Sequence, residues 1–375
     1  SFFAVPWPAN GLHGVSKEVG EKAWGRAGSR IGAVGVNSWG QRDRERQRQP
    51  PAGVNRVAFV GDSLLEESAL VPLPLATERQ IGNEHIEVVN LGVSATDPTE
   101  YFFRIKNVAL PLAPQHIFLF FYARNDFVDT LSLRAWQGLA AVYPRDSLLS
   151  SLGLLSLNHV LTNQERPVLR MWFQGLGLYN KEKRLEKQFT EATTDRVMEE
   201  LLLSLVAPQA QPILARALSR APMGDFYHML REPDEALFRS YYLKAAIDHL
   251  LGNWIRPVPD PGIVYRWVKG AHDISAADGV RFTLVIVPEA FAVDVRMQQQ
   301  WSAFADMKEV NKPNAIAATQ LAAMARRDGI DVIDLHEVLR GLPGTYLNMD
   351  GHWSRYGVDV VAGYLSGGMK RRLSL

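Results

Sequence analysis

The sequence predicts an α/β protein: a parallel sheet of five strands flanked by helices, interrupted by a helical insert. Three observations carry that expectation. Short runs rich in Val, Ile and Phe recur without strict alternation, as expected of strands covered on both faces. Several of these runs close on Gly, Asp or Asn, the residues of tight turns. Helix-compatible stretches lie between them, and strand–helix–strand succession argues for parallel pairing.

The first run is Arg56-Val57-Ala58-Phe59-Val60, ending at Gly61-Asp62-Ser63. A helix is expected from Leu64 to Val71, stopped by Pro72 and Pro74. The second run, His85 to Leu91, is closed by Gly92, and the third, Ile117 to Tyr122, leads into Ala123-Arg124-Asn125-Asp126. The fourth spans Phe282 to Val287 and ends at Pro288. An alanine-rich helix is expected over Asn314 to Arg327, before a more polar fifth run from Ile330 to Leu335.

Two segments depart from this rhythm. Residues 1–54 are rich in Gly, Pro, Trp and Arg and read as an irregular lead-in, whose charged end Arg42-Asp43-Arg44-Glu45-Arg46 is expected to be solvated. Residues 131–258 read as a mostly helical insert, with apolar residues at helical spacing over Met198 to Val206 and Glu235 to Leu251. The core is then 55–130 with 259–375. The insert either extends the hydrophobic core or caps a site and selects substrate.

Composition narrows the function. Among 375 residues, 41 lysines and arginines face 40 aspartates and glutamates, a formal charge of +1. Nucleic-acid binding through phosphates is therefore not expected. No apolar run approaches the roughly 20 residues needed to cross a bilayer, so no membrane span is expected. The absence of cysteine excludes disulfides, thiolate metal sites and cysteine nucleophiles, and suits an exported protein. A first residue other than Met leaves room for an upstream signal peptide or anchor. Eight histidines (13, 85, 116, 159, 228, 249, 272 and 336) are scattered without metal-ligand spacing. No Gly-x-Gly-x-x-Gly follows a strand and no phosphate-binding loop occurs.

Four short blocks remain. Ser63 stands just past a strand, where its hydroxyl would lie at the carboxyl end of the sheet, the ligand side of open α/β folds. A serine hydroxyl is a weak nucleophile that needs a base and donors for the oxyanion it creates. Gly92 closes the second strand, where a bare backbone can approach a ligand; Asn125 follows the third and carries an amide donor. Asn348-Met349-Asp350-Gly351-His352-Trp353 lies near the C-terminus, with His352 able to act as base and Asp350 able to orient it. Each block taken alone also reads as an ordinary turn, cap or structural pair.

Together, and in this order, the blocks resemble the SGNH (GDSL) hydrolase superfamily. Asn37-Ser38-Trp39-Gly40-Gln41-Arg42-Asp43 looks like a stretch preceding the serine block in many bacterial members. The resemblance covers about 31–130 and 330–365 and hardly touches the insert. It implies a three-layer α/β/α fold with a flavodoxin-like sheet, Ser63 as nucleophile, His352 as base and Asp350 as its orienting acid. It implies an oxyanion hole from the Ser63 and Gly92 N–H groups and the Asn125 side chain, with no metal or organic cofactor. Two departures stand out. Asp350 lies two residues before the histidine where many relatives have three. That spacing followed by Trp is similar to the alginate O-acetylation branch, although there the block precedes the serine. Arg124 replaces a common glycine; it either attracts an anionic substrate or faces solvent or Asp126. Trp136, Trp172, Trp254 and Trp267 either stack on sugar rings or pack internally.

The leading expectation is an esterase acting on small acyl esters, including O-acetylated carbohydrate. The alternatives are an O-acyltransferase modifying an envelope polysaccharide, and a non-catalytic carbohydrate-binding relative. A periplasmic or envelope location follows from the resemblance.

Overall fold

A computed structural model describes residues 37, 41–66, 71–93, 96–127, 130, 184, 187–206, 208–219, 223–231, 247, 259–301, 307–347 and 351–372. The chain divides into two compact units: Ser1–Thr130 with Pro257–Leu347 and Gly351–Leu375, and Leu131–Arg256 with Asn348–Asp350.

The first unit is built on five parallel strands, β1 (Asn55–Gly61), β2 (Ile86–Gly92), β3 (His116–Tyr122), β4 (Arg281–Val287) and β5 (Asp331–Asp334), in the order β2-β1-β3-β4-β5. Every residue of β2 and β3 is buried, which is why these segments read as continuous apolar runs. The order is that of flavodoxin-like sheets, whose switch point lies between β1 and β3. Ligands of such sheets bind outside the carboxyl ends at that point.

The described helices of the chain are α1 (Ser63–Glu66), α2 (Leu73–Ile81), α3 (Pro98–Arg104), α4 (Asp195–Ser204), α5 (Gln211–Leu218), α6 (Gly224–Arg231), α7 (Pro261–Ala277), α8 (Ala290–Val293), α9 (Val295–Trp301), α10 (Met307–Arg327), α11 (His336–Leu339) and α12 (Arg355–Arg372). On one face of the sheet, Val60, Leu91, Leu119 and Leu284 meet Tyr101 and Ile105, Val268 of α7 and Leu321 of α10 in one apolar cluster. On the other, Phe59 packs its ring against Phe118 and Phe120, with centroids 5.4 and 4.8 Å apart. There α2 lies against β2 and α12 against α2. Two helical layers thus sandwich the sheet. Each fully buried Phe or Leu contributes roughly 1.5–3 kcal/mol.

One local expectation is extended and another corrected. The helix expected over Leu64–Val71 is described from Ser63 to Glu66 and has ended by Val71, before Pro72; a further helix that the sequence analysis does not name, Leu73–Ile81, follows. Pro74 falls in its first turn, where a missing N–H breaks no helical bond. The charged lead-in is not solvated throughout: Arg42, Asp43 and Arg46 are buried. Arg46 Nη2 meets Asp43 at 2.9 Å and the Val88 carbonyl at 2.8 Å, and Nη1 meets Glu78 at 2.6 Å. Partners from α2 and β2, distant in sequence, stabilise the charges that composition alone assigns to water.

Within the second unit α4 begins at Asp195, because the Thr194 hydroxyl accepts the Val197 N–H, and it buries Met198 and Leu202 one turn apart. Helix α6 buries Phe226, Tyr227, Met229 and Leu230. The helix expected over Glu235–Leu251 lies outside the described residues apart from Ile247.

Candidate active site

β1 ends at Gly61, and the chain turns at once into α1. The Asp62 carboxylate accepts the Leu64 N–H at 2.9 Å, and its carbonyl accepts the Leu65 N–H at 3.2 Å. This closes the turn and leaves the Ser63 side chain half-buried at the helix start. The far end of α1 is held by two buried side chains: Arg42 Nη1 donates to the Glu66 carbonyl at 2.8 Å and Asn90 Nδ2 to the Leu65 carbonyl at 3.2 Å. Asn90 Nδ2 also reaches the Arg42 carbonyl at 3.0 Å, so the buried lead-in, β2 and the serine turn form one hydrogen-bonded unit.

Gly92 pairs with Gly61 across β1 and β2. A Cβ there would collide with Leu65 Cβ and stand 3.0 Å from the Asp62 carbonyl, so only glycine lets α1 lie this close to the strand. Its N–H donates to Asn90 Oδ1 at 2.9 Å. An oxyanion taking this donor therefore has to share it with Asn90 or displace that side chain.

Beyond β3, Asn125 Nδ2 donates to Asp62 Oδ2 at 3.4 Å. Its neighbour Asp126 is fully buried, accepting the Tyr122 N–H at 2.8 Å and the Tyr101 hydroxyl at 2.9 Å. Arg124 has a partner that the sequence reading does not name. Its Nε stands 3.3 Å from the buried Glu289, which follows β4, and its guanidinium lies 6.0 Å from the Phe291 ring centroid. The acid beside Arg124 is thus Glu289, while Asp126 accepts from Tyr122 and Tyr101.

His352 returns from the far end of the sequence on a tight strap. Tyr346 and Trp353 form an antiparallel bridge, the Leu347 N–H donates to the His352 carbonyl at 2.9 Å, and the Ser354 N–H donates to the Thr345 carbonyl at 3.0 Å. The half-buried His352 acts electrostatically on the buried Asp62 carboxylate. The Ser63 turn, Gly92 and Asn125 therefore meet at Asp62, beyond the carboxyl ends of β1, β2 and β3, with His352 within electrostatic reach of the same carboxylate. No hydrogen bond joins Ser63 Oγ to the His352 ring among the described residues, and Asp350 lies outside them.

Burial raises the Asp62 carboxyl above its ordinary value, while the Leu64 N–H, the His352 charge and the Asn125 amide pull it back. A raised native value means that the folded protein holds this proton more tightly than the unfolded chain. The group's contribution to stability is then greatest below its ordinary value of 3.8 and falls as pH rises through the native value. Asp62→Asn should accordingly melt above wild type at pH 7, with the gap closing towards pH 3. Thermal melts across that range check this; a gap independent of pH contradicts it.

Sequence reasoning gave Asp62 no role beyond its place in the motif, and only its burial between Asn125 and His352 singles it out. Among the described residues no three His, Asp or Glu side chains come together as a metal site requires. His116 stacks on Phe118 and bonds the Thr283 hydroxyl at 2.8 Å, a structural role. Trp267 packs on Phe102 and Phe103; Trp136, Trp172 and Trp254 lie outside the described residues.

No family model matches the chain, and no curated protein matches it significantly. Two solved structures are similar to it. One is named "putative acylhydrolase", from Bacteroides fragilis, at 10% identity and TM-score 0.38, covering 87% of this chain and 91% of the other. The other is a GDSL-like lipase from Bacteroides thetaiotaomicron, at 9% identity and TM-score 0.37, covering 93% and 98%. Likeness this distant decides nothing about activity.

Proposed function

We propose that the protein is a serine esterase acting on small acyl esters. The observation that carries this reading is the meeting of the Ser63 turn, Gly92 and Asn125 at one buried carboxylate, at the ligand end of the sheet and within electrostatic reach of His352. The ordered resemblance of the same residues to the SGNH superfamily supports it.

In this mechanism Ser63 Oγ attacks the ester carbonyl while His352 takes its proton. The new C–O bond leaves negative charge on the carbonyl oxygen, met by the Ser63 N–H, the Asn125 amide and the Gly92 N–H. Collapse breaks the ester C–O bond, and the leaving alkoxide takes the proton from His352. A water molecule, deprotonated by His352, then attacks the acyl-enzyme; collapse breaks the acyl–Oγ bond, Ser63 Oγ takes the proton back from His352, and the acid departs. Asp350 orients the ring. His352→Ala removes the base, whereas Asp350→Asn leaves it in place, so the asparagine variant should retain more turnover. The reverse ranking of kcat contradicts these roles.

The test is hydrolysis of p-nitrophenyl acetate before and after a fluorophosphonate probe. The wild type should turn over the ester and lose activity at one probe per chain. A chain that hydrolyses no ester and takes no probe is not a serine esterase.

A further inference from the structure

The three strand ends that deliver Ser63, Gly92 and Asn125 share one support on the far side of the site. Helix α3 begins rigidly: Asp97 and Glu100 form a capping box, and Pro98 stands in the first turn. Two of its side chains, three residues apart and so on one face, are completely or almost completely buried: Tyr101 at 0% and Arg104 at 2% exposure. Arg104 Nη1 donates to the Gly61 carbonyl at 3.3 Å and to the Leu91 carbonyl at 3.1 Å, the last peptides of β1 and β2. The Tyr101 hydroxyl lies 2.9 Å from Asp126 Oδ1 and 3.0 Å from the Thr96 carbonyl. Asp126 in turn fixes the end of β3 beside Asn125 through the Tyr122 N–H.

The residue types are expensive for packing alone. Burial disfavours the Arg104 charge; among the described residues Arg104 makes no salt bridge, and its Nε has no partner. An aliphatic side chain would fill the same apolar layer without that cost. The chain leaves α-helical geometry directly after Arg104, in a π turn over Ile105–Ala109, a feature frequent at functional sites. The Leu91 carbonyl belongs to the peptide whose N–H is that of Gly92, and a cationic donor on a carbonyl strengthens the N–H of the same peptide.

We propose that Tyr101 and Arg104 are positioning residues for the oxyanion donors, holding the ends of β1, β2 and β3 in the register that the tetrahedral intermediate requires. The inference rests on the esterase reading. Neither side chain touches substrate; each acts through the backbone or side chain that does.

The experiment uses the full chain with Tyr101→Phe, Arg104→Lys and Arg104→Met, with active sites titrated by the fluorophosphonate. Removing one oxyanion donor outright lowers kcat by about 10²–10³-fold, so disturbing its support should lower kcat per titrated site by about 10-fold in Tyr101→Phe and up to about 100-fold in Arg104→Met. KM should stay within about two-fold, and Arg104→Lys, which keeps the charge, should recover part of the loss. Arg104→Lys and Tyr101→Phe carry the test if Arg104→Met does not fold. Variants that melt earlier yet keep wild-type kcat per titrated site overturn the proposal, leaving a merely structural role. Wild-type chain that neither labels nor hydrolyses overturns the esterase reading, and this inference with it.

Discussion

Ser63→Ala should abolish ester turnover, by at least about 10³-fold, while leaving the fold unchanged. The loss is large because no other member of the cluster replaces the hydroxyl: Asn125 is an amide, Gly92 contributes backbone alone, the Asp62 carboxylate is buried and holds the Leu64 N–H, and acylation of His352 would leave no base for deacylation. Folding should be unaffected because the Ser63 hydroxyl makes no hydrogen bond to a described residue and its turn is closed by Asp62. His352→Ala should cost about as much. A nucleophile and its base act as one unit, so the double variant should be no worse than either single one. Independent, multiplying losses would mean that the two residues do not serve the same step. Turnover by each variant, with its melting temperature beside it, gives the comparison.

Gly357→Ala should be the most damaging small substitution in the strap that carries His352. Gly357 lies in the first turn of α12, and a Cβ there would fall on the Thr345 carbonyl oxygen, which is backbone and cannot swing aside. That carbonyl also accepts the Ser354 N–H, and the Ser354 hydroxyl accepts the Gly357 N–H at 3.1 Å. Relieving the clash therefore breaks the bonds that close the Tyr346–Trp353 bridge around His352. We expect a loss of about 2–3 kcal/mol, a fall in melting temperature of roughly 5–10 °C, and a drop in kcat that exceeds the unfolded fraction. Gly367→Ala in the same helix is the control: nothing lies within 4 Å of its added Cβ, so better helix propensity should stabilise by about 0.5–1 kcal/mol. Equal melting temperatures for the two variants would contradict the close approach at Thr345.

The contrast between these glycines shows what sequence can and cannot carry. Strands were readable because burial on both faces demands continuous Val, Ile and Phe, and β1 to β4 begin and end within a residue of the expected runs. Helix α2 was not, because Pro72 and Pro74 read as a stop unless one knows that a first turn has no N–H to lose. Helix α10 likewise starts at Met307 and carries Pro313 inside it, where the sequence argued for a start at Asn314. In the site, the residues delivered by strand ends could be read from local turn chemistry. Partners contributed from elsewhere could not: Glu289 against Arg124, Arg104 against the Leu91 carbonyl, and Tyr101 behind Asp126. Arg124 and Arg46 look alike as charged residues in loops, and only the acid that reaches each one decides where its charge resides.

The acylated atom should be Ser63 Oγ. Peptide mapping by mass spectrometry after reaction with the fluorophosphonate should place a single adduct on the peptide containing Ser63, absent when His352 is replaced by alanine. An adduct on any other residue, or ester turnover that survives with Ser63 unmodified, would contradict it.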